Sequence, residues 1–524
     1  MGVAADRADR YPAVLGRGFP RDALRTSSQL HLPHCCMSLM NRLRGNHCLG
    51  HHLEHVRYAR HMTAPAKITS PVDGSVYATR PYATLAEIEG AVTAAREAQK
   101  VWAQTSVAER AGFCGAAVDA MNGWVDDIAI ELAWQMGRPV RYGAGELRGF
   151  TERARHMIAI APSALARVEV EEKPGFERFI QRVPLGVVFV VAPWNYPFLT
   201  AVNSIIPALM AGNSVLLKHA TQTLLVGERF QMAFDAAGLP AGLFRNLVMS
   251  HDQTSALLRA GLVDQVNFTG SVDGGKQIER AAAGSFSGIG LELGGKDPAY
   301  VRSDANLAHA IENVVDGAFF NSGQSCCGIE RVYVERSIYD EFIEGAVALT
   351  EEYVLGSPLD PATTLGPMVR VGAAKEVRAQ IARAVARGAR QLVRADIFHS
   401  DSPDGAYLAP QILVDVDHRM DVMTEETFGP VVGVMPVDSD DEAIALMNDS
   451  AYGLSASIWT SDLDAARSIG ERIDTGTVFM NRADYLDPSL AWTGVKDTGR
   501  GVTLSALGYE MLTRPKSFHL RHTV

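Results

Sequence analysis

From Val187 onward, short apolar runs of strand length alternate with longer segments of helical spacing, and this alternation restricts the fold more than any other feature of the chain. Val187–Ala192, Ser214–Lys218, Phe244–Met249, Gln265–Phe268 and Gly288–Leu293 read as strands. Helices are expected between them, one running through Ile205–Met210 and another over Leu224–Ala237. A strand that returns parallel to its predecessor needs a covering crossover, so the pattern predicts a doubly wound parallel sheet. A second set follows Leu293: helix Leu307–Phe319, strand Arg331–Val334, helices Asp340–Tyr353 and Val371–Ala386, and strand Val431–Pro436. Gly294 and Gly295 make a natural joint between the halves. The expected class is α/β with two doubly wound domains.

Flanking this body, Leu85 to about Ala161 reads as successive amphipathic helices. Residues 173–183, bounded by prolines, look like an exposed β arm. The tail Ser517–Val524 is strand-like and polar, a segment suited to docking on a neighbour.

A chain of 524 residues with 47 % apolar and 21 % charged composition can bury two or three cores. Its formal charge of −11 argues against nucleic acid as partner. No apolar run approaches the roughly 18–20 residues that span a bilayer. Six irregularly placed cysteines and no secretory leader point to a reducing cytoplasm. Residues 1–61 differ from the rest: nine Arg and no Lys against four acidic residues, with seven of the fifteen His and three of the six Cys. A metal cluster of Cys35, Cys36, His47, Cys48, His51, His52 and His55, or a transit peptide, are conceivable readings. Without a CxxC pair or amphipathic periodicity, a disordered or appended extension preceding Met62 is expected instead, and no metal is expected.

Four motifs carry chemistry. Cys326, in Phe319-Phe320-Asn321-Ser322-Gly323-Gln324-Ser325-Cys326, follows a Gly-containing turn that can expose a thiol and hold it rigidly. Glu292, in Leu291-Glu292-Leu293-Gly294-Gly295, is a carboxylate at the end of an apolar strand, where desolvation favours a raised pKa suited to a base. Asn195, between Pro193 and Pro197, could donate its amide to a developing oxyanion. Phe268-Thr269-Gly270-Ser271 leads a strand into a helix through small residues, exposing N–H groups to phosphate, although the GxGxxG fingerprint is absent.

In order, the motifs PWN, strand–Lys, FTGS, LELGG, FNSGQSC, EETFGP and a late GVK…G segment resemble the aldehyde dehydrogenase superfamily from about Ile68 to the C-terminus. The resemblance implies two Rossmann-like domains, cofactor and catalytic, plus a small β arm for oligomerisation. It divides the chain into a cofactor domain at 62–290 and 475–500 (with the bridging arm at about 173–183), a catalytic domain at 291–474, and an oligomerisation tail at 501–524. It further implies that Cys326 attacks the aldehyde, Asn195 and the Cys326 N–H bind the oxyanion, and Glu292 activates the hydrolytic water. NAD or NADP would lie on Lys218 (adenosine ribose), Gly270 and Ser271 (pyrophosphate), Glu426 (nicotinamide ribose) and Phe428 (ring), with Trp194, Thr221, Gly275 and Leu293 completing the set. Cys327 is expected to point away and pack. A homodimer or homotetramer is implied.

Departures from the family pattern carry expectations too. Thr221 stands where many NAD-preferring relatives have a glutamate that would repel a 2′-phosphate, so NADP should be tolerated and even preferred. Ser204 and Thr503 replace a Lys and a Glu that pass protons in some relatives, which leaves solvent-connected water for deacylation. The late segment lacks the usual PFGG. Pocket positions are Tyr196, Thr200, Asn203, Ser325 and Trp492, with Arg482, Asp484 and Tyr485 at the mouth, where Arg482 and Asp484 could simply pair. No basic pair can be assigned to a substrate carboxylate, yet the polar Thr200 and Asn203 favour a small polar aldehyde or semialdehyde. A CoA-acylating dehydrogenase and a non-redox thiol esterase or acyl transferase are the alternatives. The first often lacks a base like Glu292, and the second would need a His partner.

Overall fold

The computed structural model describes residues 64–483 and 485–523. The histidine- and cysteine-rich segment before Met62 and the side chain of Asp484 lie outside the described residues.

Two mainly parallel sheets form the frame. In the first, six strands lie in the order Gly499–Arg500, Gly288–Glu292, Gln265–Thr269, Val187–Ala192, Ser214–His219 and Phe244–Asn246. All pair in parallel except the short Gly499–Arg500, which runs antiparallel to Gly288–Glu292. Every residue of Val187–Ala192 is buried, as a central strand covered on both faces must be. The covering helix Pro197–Met210 is buried nearly all round and starts on a proline, which suits a first helical turn because its missing N–H would have no partner there. The chain order reverses between Val187–Ala192 and Gln265–Thr269. In open α/β sheets the crevice at the carboxyl ends of such a pair is where ligands bind.

The second sheet has seven strands, in the order Arg390–Gln391, Gln411–Val414, Val431–Val437, Ile329–Glu335, Asp297–Val301, Ser455–Trp459 and Thr477–Met480. Its two faces carry separate apolar cores, as do those of the first. One expectation needs correction here. Thr477–Met480 pairs with Ser455–Trp459 in this second sheet, so the chain does not return to the first at about residue 475. It returns at Gly499–Arg500, where two residues suffice to pair with Leu291 and Glu292. The C-terminal strand, Thr513–Arg521, pairs along its whole length with Phe176–Pro184 of the same chain, making a three-stranded sheet with Val168–Glu169. The tail therefore docks on its own arm, with Phe179 stacked on Phe518 at 4.5 Å. Among the described residues no helix is long and apolar enough to cross a membrane, and no group of three or more His, Cys, Asp or Glu could hold a metal ion.

Candidate active site

The site lies where the carboxyl ends of the first sheet meet the amino ends of two strands of the second. Trp194 and Asn195 follow Val187–Ala192, Gly270 and Ser271 follow Gln265–Thr269, and Glu292 ends Gly288–Glu292. From the other side, Cys326 precedes strand Ile329–Glu335, and Glu426 with Phe428 precedes Val431–Val437.

Cys326 sits on a strained turn. Asn321, Ser322 and Gly323 take φ of 55°, 57° and 67°, the left-handed region that costs a non-glycine residue of order 1 kcal/mol or more. Polar bonds hold it there. Ser322 Oγ donates to the Gly366 carbonyl (2.8 Å), Gln324 Nε2 to the Asn321 carbonyl (3.0 Å), and Gln324 Oε1 accepts from the Val369 N–H (2.8 Å). Gly323 packs so tightly on the Gly429 carbonyl that no Cβ fits, and Gly295 does the same against the carbonyl of Cys326 itself. The glycine joint after Glu292 thus lets the carboxylate-bearing strand approach the thiol-bearing turn.

The Cys326 thiol is half-buried, and its pKa is pushed well above the usual range. A hydrogen bond with the Cys327 thiol contributes most, then burial, then the negative charge of Cys327, Asp297 and Glu292. Cys327 packs in the core, with its Sγ 3.6 Å from Ser325 Oγ. Glu292 is likewise raised, by burial, against hydrogen bonds from Thr503 and Thr269 and the positive charge of Arg153. Thr503 Oγ1 donates to Glu292 Oε1 at 2.5 Å and Thr269 Oγ1 to Oε2 at 3.4 Å. Thr503 is therefore a direct partner of the carboxylate and more than a missing glutamate. Behind Glu292, a cavity of about 20 Å³ lined by Ser204, Asn267 and Thr503 has room for about one water.

Asn195 is buried, and its side-chain amide makes no hydrogen bond among the described residues. Its carbonyl is fixed by Arg138 Nη2 (2.5 Å) and Asn321 Nδ2 (3.4 Å). Arg138 is paired with Glu146, both fully enclosed, and Glu146 Oε1 accepts the N–H groups of Phe198 (2.9 Å) and Leu199 (3.1 Å) at the start of helix Pro197–Met210. One buried ion pair thus ties the amide, the nucleophile turn and that helix together. On the second unit, Lys296 Nζ donates to Glu330 Oε2 at 2.6 Å. Glu330 in turn accepts the N–H groups of Thr427 (2.8 Å) and Phe428 (2.9 Å), fixing the turn that carries Glu426 and Phe428. Sequence reasoning missed both pairs. A charged residue inside a buried strand, as at Glu330, was the available signal.

The residues expected to hold a dinucleotide fit one. Lys218 is 5 % exposed and has no hydrogen-bond or ionic partner among the described residues. Burial alone pulls its pKa down to about 8, a cation that an anionic or hydroxyl-rich ligand would stabilise. Ser271 caps helix Val272–Ala282 by accepting the Gly274 N–H (3.2 Å), and Gly275 packs closely against Leu293, where a Cβ would come within 2.7 Å of its methyl groups. Glu426, raised by burial to about 7, accepts the Gly295 N–H at 3.0 Å. The Trp194 and Phe428 rings meet edge to face at 5.6 Å across the two units. His219 is buried and held neutral, its pKa lowered to about 4 by desolvation.

Of the pocket positions, Asn203, Ser325 and Trp492 are buried and Thr200 is half-buried, its hydroxyl donating to the Tyr196 carbonyl (2.7 Å). The Tyr196 ring lies 4.7 Å from the Arg138 guanidinium. At the mouth, Arg482 stacks on Tyr485 at 3.6 Å, and the Tyr485 hydroxyl donates to Glu152 (2.5 Å).

Comparison with known proteins decides the family. The model of the aldehyde dehydrogenase family matches residues 58–518. The chain belongs to the aldehyde dehydrogenase family. Among relatives of this dehydrogenase, a succinate-semialdehyde dehydrogenase [NADP(+)] of Deinococcus radiodurans is 33 % identical over 86 % of this chain and 94 % of that protein. A betaine aldehyde dehydrogenase of Rhizobium leguminosarum is 33 % identical over 86 % and 92 %. Among solved structures, betaine aldehyde dehydrogenase of Staphylococcus aureus in complex with NAD+ is 28 % identical, with a TM-score of 0.83 over 88 % of this chain and 92 % of that one. As an NAD(P)-dependent aldehyde dehydrogenase, the enzyme has the α/β, Rossmann-like architecture its sequence implied.

Proposed function

We propose that this dehydrogenase oxidises a small polar aldehyde to its carboxylic acid through a thioester on Cys326. The observation that carries the reading is the convergence of the Cys326 thiol, the Glu292 carboxylate and the unpartnered amide of Asn195 at one junction. At rest the thiol keeps its proton, because burial and neighbouring negative charge disfavour a thiolate. Glu292, its own pKa raised, is matched to take that proton as sulfur attacks the carbonyl carbon. The resulting oxyanion would be met by the Asn195 amide and the Cys326 N–H, neither of which has an acceptor among the described residues. Lys218, Ser271, Glu426 and Phe428 would hold the dinucleotide, which would supply the two-electron, hydride-accepting chemistry needed to oxidise the adduct to a thioester. Glu292 releases the thiol proton to solvent and, ionised again, removes a proton from water, which attacks the thioester carbon. The carbon–sulfur bond breaks, and the acid leaves with Cys326 restored.

The retained carboxylate argues against transfer to CoA, and among the described residues no His partners Cys326 for a non-redox esterase. Without a carboxylate at Thr221, the buried Lys218 is free to meet a 2′-phosphate, so NADP is accepted alongside NAD. The NADP-linked relative is consistent with this. The three-stranded sheet of arm and tail is the candidate bridge for a homodimer or homotetramer, which light scattering on a sizing column measures. Cys326→Ser should abolish NAD(P)H formation with a panel of small aldehydes. Wild-type rates in that variant would end the proposal.

A further inference from the structure

Close to the catalytic pair lies a cation that the chemistry above does not use. Arg153, on helix Val140–Ala164, is 9 % exposed. Its Nη1 donates to the Leu199 carbonyl (2.8 Å) and to Asn203 Oδ1 (3.4 Å). Among the described residues it forms no ion pair, and neither Nε nor Nη2 finds an acceptor. Glu146, the closest source of compensating charge, is already committed to Arg138. Asn203 shows the complementary defect. Its Oδ1 is turned to the guanidinium, which leaves Nδ2 buried with no partner.

A buried amide N–H without an acceptor, next to a guanidinium that no carboxylate pairs among the described residues, is an expensive arrangement. Burying a polar group unsatisfied costs about 1–3 kcal/mol, and a charged group more. Apolar residues would fill the same space at lower cost, so the pair is best explained by an acceptor that arrives with the substrate. Position agrees. Asn203 adjoins Ser204, which lines the cavity shared with Glu292 and Thr503, and the charge of Arg153 is felt at Glu292, Cys326 and Cys327. Asn203 and Thr200 lie on the same stretch of helix.

We propose that Arg153 and Asn203 Nδ2 bind a carboxylate carried by the substrate at the end away from its aldehyde, making this enzyme a semialdehyde dehydrogenase. The proposal rests on the reading that Cys326 oxidises small aldehydes and narrows it to those bearing an acid group. A guanidinium fork and an amide N–H suit the two oxygens of a carboxylate, whereas a quaternary ammonium group would be repelled.

Succinate semialdehyde and butanal share a four-carbon chain and differ at the far end, one carrying a carboxylate and the other a methyl group. The ratio of their kcat/KM values isolates that end. For the wild type the ratio should exceed ten in favour of the semialdehyde. In Arg153→Gln it should fall by roughly 10–100-fold, mostly through the KM of the semialdehyde. Asn203→Ala, a milder change that keeps the helix intact, should lower it several-fold and decides the question should the arginine variant misfold by circular dichroism. A wild-type preference for butanal overturns this inference alone. So does an unchanged ratio in the variants, including a loss of kcat shared equally by both aldehydes, which would assign Arg153 to Glu292 instead. Failure of the wild type to oxidise either aldehyde would overturn the broader reading as well.

Discussion

The hydroxyl of Thr503 offers the sharpest test of how Glu292 works. Burial raises the carboxyl pKa, and the 2.5 Å bond from Thr503 Oγ1 opposes that rise by stabilising the ionised form. Thr503→Val keeps shape and the backbone pairing with Trp492 but removes the donor. A hydrogen bond to a charged group is worth about 1.5–3 kcal/mol, and 1.36 kcal/mol corresponds to one pKa unit, so the carboxyl should move up by about 1–2 units. As the base of the proposed mechanism Glu292 must be ionised, so activity should rise as pH climbs through its pKa. The acid limb of the kcat profile should therefore shift upward by about 1–2 pH units. Below both limbs the variant should run about 10–100-fold slower, and above both it should recover. The assay is steady-state NAD(P)H formation from pH 5 to 9, with the pre-steady-state burst recorded to confirm that thioester formation persists. An acid limb that stays in place would show that Glu292 is not the titrating base, or that Thr503 does not support it during turnover.

Other outcomes follow from the same geometry. Glu292→Gln should retain a burst of reduced cofactor and accumulate an acyl adduct on Cys326 visible by mass spectrometry; normal steady turnover would contradict the deacylation role. Lys296→Met leaves Glu330 buried without its cation and should lower stability by about 3–5 kcal/mol, read from the urea midpoint. An unchanged midpoint would mean that the pair contributes nothing. Thr221→Glu should depress kcat/KM for NADP at least 10-fold more than for NAD, because a carboxylate beside Lys218 would bond ribose hydroxyls and repel a phosphate. Equal effects on both cofactors would remove Thr221 from the adenosine site.

Much of this is legible in the linear chain because it is local. The strand–helix rhythm from Val187 announces the parallel sheets, since period and length of apolar runs are set by neighbouring residues. Cys326, Glu292 and Asn195 stand out because each combines a reactive side chain with a turn or strand end that presents it. The return to the first sheet is not legible near residue 475 because Thr477–Met480 is short, and which sheet accepts a short strand depends on partners distant in sequence. The partner of the tail is hidden for the same reason: a polar strand shows that it needs an edge, but not whose.

By itself, the order of residues determined the class of fold and the kind of cofactor, and singled out Cys326 and Glu292 as candidates for nucleophile and base, for these are written in contiguous motifs. Only the tertiary structure decided the electrostatics around them. Helix Val140–Ala164 brings Arg138's partner Glu146 and the uncommitted Arg153 to the site from outside every motif, and Lys296 finds Glu330 across 34 residues. Charge acts through space and not along the chain, so the ions that set a buried thiol and carboxylate become visible only once the helices and sheets are packed together.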